Sequence, residues 1–201
     1  MITTIPINGT AGKPTNQLFS FDISYVDPAN GLYYLGDRSN AAIDVIDTTG
    51  AFTGTPDTLY GQIGGGAFGF QGDTGTTATS GPNGVAAAFP CIFAGDGNSR
   101  AISINASVSF VQPVSALNTG GQFRADELAY DPADGLLLVT NNAETVPFST
   151  LLTVNKSTCA LSNPIKITYN AASGVNATNG AEQSVWDPGT QRFYISIPEI
   201  G

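Results

Sequence analysis

Three eight-residue segments of this chain align without gaps: residues 21–28 (FDISYVDP), 125–132 (ADELAYDP) and 181–188 (AEQSVWDP). Each continues through a short polar turn, Ala29-Asn30-Gly31, Ala133-Asp134-Gly135 or Gly189-Thr190-Gln191, into an apolar run at 32–35 (LYYL), 136–139 (LLLV) or 192–195 (RFYI). An Asp-Pro followed by such a turn between two β-rich runs is a hairpin signal, because Pro fixes φ and Gly takes the positive φ that the turn demands. A supersecondary unit repeated at a regular spacing restricts the chain to an array architecture.

A third strand is expected over 41–47 (AAIDVID), after the turn Asp37-Arg38-Ser39-Asn40. One further unit lacks the Asp-Pro. It is read from Gly81-Pro82-Asn83-Gly84-Val85 opening its first strand, from Ala94-Gly95-Asp96 matching Leu35-Gly36-Asp37, and from a third strand at Ala101-Ile102-Ser103-Ile104. The matched second-strand ends, Asp37, Asp96, Asn141 and Ile197, lie 59, 45 and 56 residues apart, a period that suits four-stranded propeller blades.

The expected fold is therefore all-β: a β-propeller with about three and a half four-stranded blades in this chain, an incomplete ring. It reads as one partial propeller domain over 1–201, with blades at 17–60, 81–118, 122–168 and an incomplete 180–201. The Gly- and Thr-rich stretches 61–80 and 168–180 read as inter-blade crossings or loops on one propeller face. The ring is not expected to close on these residues alone, so either the natural protein continues or a second chain supplies the remaining blades. Residues 2–7 are read as an outer strand for a closing blade.

Composition narrows the function classes. Only 11% of residues are charged, and 24 Gly and 12 Pro punctuate the chain, the texture of many short strands and few helices. The net charge is −9, with seven Lys and Arg scattered singly, so no basic stripe exists to track a phosphate backbone and nucleic acid is not an expected partner. No run approaches the roughly 20 apolar residues of a membrane span, and the N-terminus lacks a signal peptide. The expected location is secreted or extracellular, with the signal already removed. Cys91 and Cys159 either form one disulfide or remain two buried thiols. With no histidine in the chain, they lack the companions of a zinc cluster. The four Asn-X-Ser/Thr triplets are about what this composition gives by chance.

Residues 21–40, 81–85, 94–99, 124–142 and 182–199 together resemble a group of secreted bacterial and fungal propellers related to the NHL and YVTN repeat proteins. The resemblance implies a longer protein with further blades beyond this chain's last residue.

Counting back five residues from each Asp of an Asp-Pro reaches Asp22, Asp126 and Glu182. First strands of propeller blades line the central channel, so these acids are expected to ring its axis, with Asn83 joining them. Converging carboxylates recruit a cation, and Ca²⁺ accepts an oxygen-only set; the metal-dependent lactonases built on six-bladed propellers look similar in principle. The competing reading is structural: the acids accept hydrogen bonds from backbone N–H groups or from Arg124 and tie blades together. The Asp and Asn residues after each second strand read as turn formers, with Arg38 as the exception. Trp186, Tyr33 and Tyr34 read as core or inter-blade packing.

Without histidine there is no Ser-His-Asp arrangement, and neither a phosphate-cradling loop nor a GxSxG elbow appears. No catalytic residue is identified, and enzymatic activity stays open. The leading functional reading is a secreted or surface binding or scaffold module with a protein or glycan partner. The alternatives are a divalent-metal-dependent, lactonase-like hydrolase using the channel carboxylates, and a structural subunit that assembles with further copies through open blade edges.

Overall fold

The computed structural model describes residues 4–7, 9 and 16–201. The first sheet is a meander of four antiparallel strands, β1 (Phe21–Asp27), β2 (Leu32–Asp37), β3 (Ala42–Asp47) and β4 (Thr58–Gly64). The second holds β5 (Val85–Ala88), β6 (Cys91–Asp96), β7 (Arg100–Asn105) and β8 (Ser115–Asn118), and the third β9 (Leu128–Asp131), β10 (Leu136–Asn141), β11 (Phe148–Val154) and β12 (Leu161–Thr168). β13 (Glu182–Asp187) and β14 (Arg192–Ser196) pair as a two-stranded sheet, and the one helical element among the described residues is a 3-10 turn at Ala171–Ser173. The first strands of successive sheets are neighbours, β1 beside β5, β5 beside β9 and β9 beside β13, which is the radial arrangement of propeller blades.

The repeated turns close as their sequence demands. Asp27 accepts the N–H of Ala29 at 3.0 Å, Asp131 that of Ala133 at 2.9 Å, and Asp187 that of Gly189 at 2.9 Å, so the aspartate of each Asp-Pro folds the chain back over the proline. Gly31 and Gly135 then take φ of 66° and 68°, and Gln191 occupies the same left-handed position at 56° in the fourth hairpin.

Blades pack face to face through strict alternation. Ile92 and Ala94 of β6 enter a core shared with Leu32, Tyr34, Ile43 and Val45 of the first blade. Cys91 and Phe93 enter a second core shared with Leu137, Val139 and Leu152 of the third. A strand sandwiched between two blades is apolar on both faces, which accounts for continuous runs such as Leu136–Val139.

Two expectations are corrected. Residues 61–64 of the first Gly/Thr-rich stretch belong to β4, and the crossing proper follows them, seating Phe68 and Phe70 in the first core. Of residues 2–7, residues 2 and 3 lie outside the described residues; 4–7 form no strand, and Thr4, Ile5 and Pro6 line a cleft with residues 55–59 of the first blade. Pro6 has no N–H to donate to a ladder, and residues 4–7 join no sheet.

Glycines set the closeness of neighbouring blades. A Cβ on Gly84 would sit 2.2 Å from the carbonyl oxygen of Asp126, and one on Gly95 2.4 Å from that of Ala125; both obstacles are backbone. In the third blade Thr140 holds the position matching Gly95, and its hydroxyl meets Ser184 Oγ of the next blade at 2.8 Å. Gly84→Ala is expected to force the second and third blades apart and cost about 1–3 kcal/mol, read as a lower midpoint in urea at unchanged slope. An unchanged midpoint would mean that the blades are not in this contact.

Candidate functional site at the blade axis

The inner strands run side by side in one direction, so residues at one repeat position gather at one end of the axis. Asp22, Asn83, Asp126 and Glu182 occupy that end, and Asn83 N–H bonds the Gly95 carbonyl as Asp126 N–H bonds that of Thr140. Arg38, from the turn after β2, extends inward. Its guanidinium pairs with Asp22 and donates to Asn83 Oδ1 from Nε at 3.0 Å and from Nη2 at 2.7 Å.

The polar chain continues around the axis. Asn83 Nδ2 donates to the Ala125 carbonyl at 2.9 Å, Arg124 Nη2 pairs with Asp126 at 2.7 Å, and Asn142 Nδ2 donates to Glu182 Oε1 at 3.2 Å. Gln183, held at φ 56° beside a bulge in β13, donates to Glu127 Oε1 at 3.0 Å. Each bond joins neighbouring blades or fixes a residue that does, so the ring staples four blades together.

Electrostatics place the acids near one another. Burial pushes Asp126 up to about 6, with the Asp22 charge adding to it and Arg124 and Arg38 opposing. Burial likewise raises Glu127 to about 7, reinforced by Asp126, Glu182 and Asp22 and partly offset by the Ser184 N–H. Asp126 Oδ1 and Glu127 Oε2 are buried and accept no hydrogen bond. The oxygens that a cation would use are those of Asp22, Asp126, Glu127 and Glu182; among the described residues no three acidic, His or Cys side chains already stand in a metal-holding group.

Along the same inner strands runs a cavity of about 430 Å³. Tyr25 of β1, Val85 of β5, Leu128 and Tyr130 of β9 and Trp186 of β13 form its wall, and Pro132 and Pro188 flank its far end. Tyr130 and Trp186 immediately precede the Asp-Pro in their repeats, so the alignment that gathers the acids gathers these two aromatics too, while Tyr25 stands one residue earlier in its own repeat, where Val26 holds the matching position. Trp186, read from sequence as packing, is half-buried against Phe193 with ring centroids 4.7 Å apart and also faces the cavity.

Sequence reasoning missed Glu127, Asn142 and Gln183. Glu127 and Gln183 share the repeat position that follows Asp126 and Glu182, where the first unit has Ile23, so the aligned repeats carried the signal as a polar pair.

The fold and its axial site define a β-propeller. The solved structure of Kuenenia stuttgartiensis hydrazine synthase superposes on it with a TM-score of 0.58 at 9% identity, over 86% of this chain and 42% of that one. The chain thus spans under half the length of that neighbour, and the likeness is one of fold. No family model matches the chain, and no curated protein matches it.

Proposed function

We propose that this chain is a binding or scaffold module of a secreted or surface propeller, with its ligand taken at the axial cavity. The observation that carries the reading is the cavity itself: inner strands of four blades converge on it, and a buried ring of hydrogen bonds and ion pairs holds those strands rigid. A preformed concave wall with aromatic faces and a few directed polar groups is the usual construction of a binding site. The Cys91–Cys159 disulfide supports an oxidising compartment, and the Asp-Pro repeats support kinship with the NHL and YVTN type.

Val185 lies at the cavity rim with half of its side chain exposed. Val185→Phe is expected to narrow the cavity and reduce binding to peptide and glycan panels at least tenfold, with the melting temperature unchanged. Ile165→Ser, on the exposed outer strand β12, is expected to leave binding intact. The reverse pattern would move the binding face to the outer strands and overturn the reading.

A further inference from the structure

The wall of the axial cavity carries no charge: among the described residues that line it there is no Asp, Glu, Lys or Arg, and the axial acids lie outside the lining. Most of it is aliphatic, with Leu128 and Val85 buried beneath it. Three half-buried rings stand in it, Tyr25 on β1, Tyr130 on β9 and Trp186 on β13. Its side-chain polar groups other than the Trp186 indole N–H are hydroxyls. That of Ser184 bonds Thr140 Oγ1 at 2.8 Å, whereas those of Ser24, Tyr25 and Tyr130 have no hydrogen-bond partner among the described residues. Burial, and then the Asp27 charge, raises the Tyr25 phenol above its ordinary value, and burial and Asp131 do the same for Tyr130. Both therefore stay neutral groups that donate and accept.

We infer that the axial cavity takes an uncharged aromatic ring bearing one hydroxyl, a phenol, either as a free small molecule or as the side chain of a tyrosine in a peptide. The ring packs among the aromatic faces, and its hydroxyl meets the uncommitted hydroxyls of the wall. This deepens the reading of the cavity as the binding site and rests on it.

The lining selects this class by what it lacks and by what it offers. An ion would leave water for a wall with no counter-charge, which is costly. A pyranose presents a hydroxyl on nearly every carbon and would leave several unmet against Leu128, Val85 and Ile23. A hydrocarbon would leave the three free hydroxyls without a partner, and an aliphatic guest would forgo the offset and edge-to-face contacts that rings make with rings. A phenol satisfies each condition, with an apolar body, aromatic faces and one group that both donates and accepts. The cavity, about 430 Å³, falls within the ordinary size of small-molecule sites.

Trp186 is the only tryptophan in the chain and stands in the cavity wall, so its emission, excited where phenols do not absorb, reports entry. p-Cresol titrated at pH 7 is expected to change that emission saturably, with affinity of about millimolar order for so small a probe. Tyramine and 4-hydroxyphenylacetate carry the same ring with a positive and a negative charge, and each should bind at least tenfold more weakly at constant ionic strength. Toluene, which lacks the hydroxyl, should bind about three- to tenfold more weakly. The Tyr25→Phe/Tyr130→Phe variant keeps both rings; it should weaken p-cresol toward the affinity of toluene and leave toluene unchanged. The comparison of p-cresol with toluene on unaltered protein stands by itself should that variant unfold. N-Acetyltyrosinamide separates the two sources, and either result supports the phenol site: affinity at or above that of p-cresol assigns a tyrosyl peptide, and weaker binding assigns a free phenol. If either charged analogue or toluene binds as tightly as p-cresol, or if methyl β-glucoside binds more tightly, the cavity remains a binding site and the phenol inference fails. If none of these probes alters Trp186 emission, the phenol inference and the cavity reading fail together.

Discussion

Replacing Cys91 and Cys159 together by alanine is expected to lower the unfolding free energy by about 4 kcal/mol, the chain-entropy value for a loop closed over 68 residues. The bond joins the first residue of β6 to the turn between β11 and β12, with the Cα atoms 5.3 Å apart. It therefore ties the second blade directly to the third across their shared core. Both cysteines are buried, so alanine introduces no polar atom into that core and the measured loss reports the cross-link together with a small cavity. For a chain of this size the loss corresponds to a melting temperature lower by roughly 10 °C. Unaltered protein reduced after mild unfolding should match the double variant. A loss under about 1 kcal/mol would mean that the blade faces alone fix this junction.

Hairpins were the most legible part of the fold. Asp27, Asp131 and Asp187 each cap the turn that follows them, a local effect written in four consecutive residues, so the alignment of the repeats located β1 and β2, β9 and β10, and β13 and β14. The second blade was harder because no Asp-Pro marks it, but Ala94-Gly95-Asp96 located β6. Outer strands were less visible. β4 runs through Gly61 and Gly64, and β12 carries Pro164 with most of its side chains exposed; neither presents an apolar alternation, because an outer strand packs on one neighbour only.

At the site, identical offsets from the Asp-Pro indicated Asp22, Asp126 and Glu182, because equivalent positions on parallel inner strands must meet at one end of the axis. The partners were less legible. Arg38 reaches Asn83 across 45 residues of sequence, and the Cys91–Cys159 pairing spans blades in the same way. Only the face-to-face stacking of blades brings such residues together, and local pattern carries no record of it. Trp186 shows a different limit: one residue packs on Phe193 with one edge and lines the cavity with the other, a double role that periodicity alone does not separate.

Stability is expected to fall as pH rises from about 4.5 to 8, the reverse of the usual behaviour of an acidic protein whose carboxylates are ion-paired. Burial raises Asp126 to about 6 and Glu127 to about 7, and burial beside Asp37 raises Asp44, which is fully inaccessible with one unpartnered oxygen. An acid whose folded pKa exceeds its unfolded one holds a proton in the native state that the unfolded chain releases, so its contribution is complete below the unfolded value near 4 and disappears as pH passes the folded value. At about 1.4 kcal/mol per pKa unit, the displacements of Asp126 and Glu127 together correspond to about 6 kcal/mol, which solvent screening of the less deeply buried Glu127 reduces to about 4–5 kcal/mol across pH 4–8. On the acid side, burial raises Asp47, but the N–H groups of Thr53, Phe52, Thr49 and Gly50 outweigh it and hold the carboxyl well below the usual range. Asp187, hydrogen-bonded by Thr190 and Gly189, is lowered as well. Their contribution is present above the unfolded pKa and is lost only on further acidification, which places the optimum near pH 4–5. General repulsion within a chain of charge −9 acts in the same direction above neutrality, and salt separates the two effects: 0.5 M NaCl screens exposed charges and leaves the buried acids unmoved. Melting curves at pH 4.5, 6, 7 and 8 in 0.5 M NaCl should therefore still slope downward, and the Asp126→Asn/Glu127→Gln variant should flatten the slope between pH 6 and 8. Stability that rises across this interval would show that these carboxylates are ionised in the folded protein and that the axial ring carries its full negative charge at neutral pH.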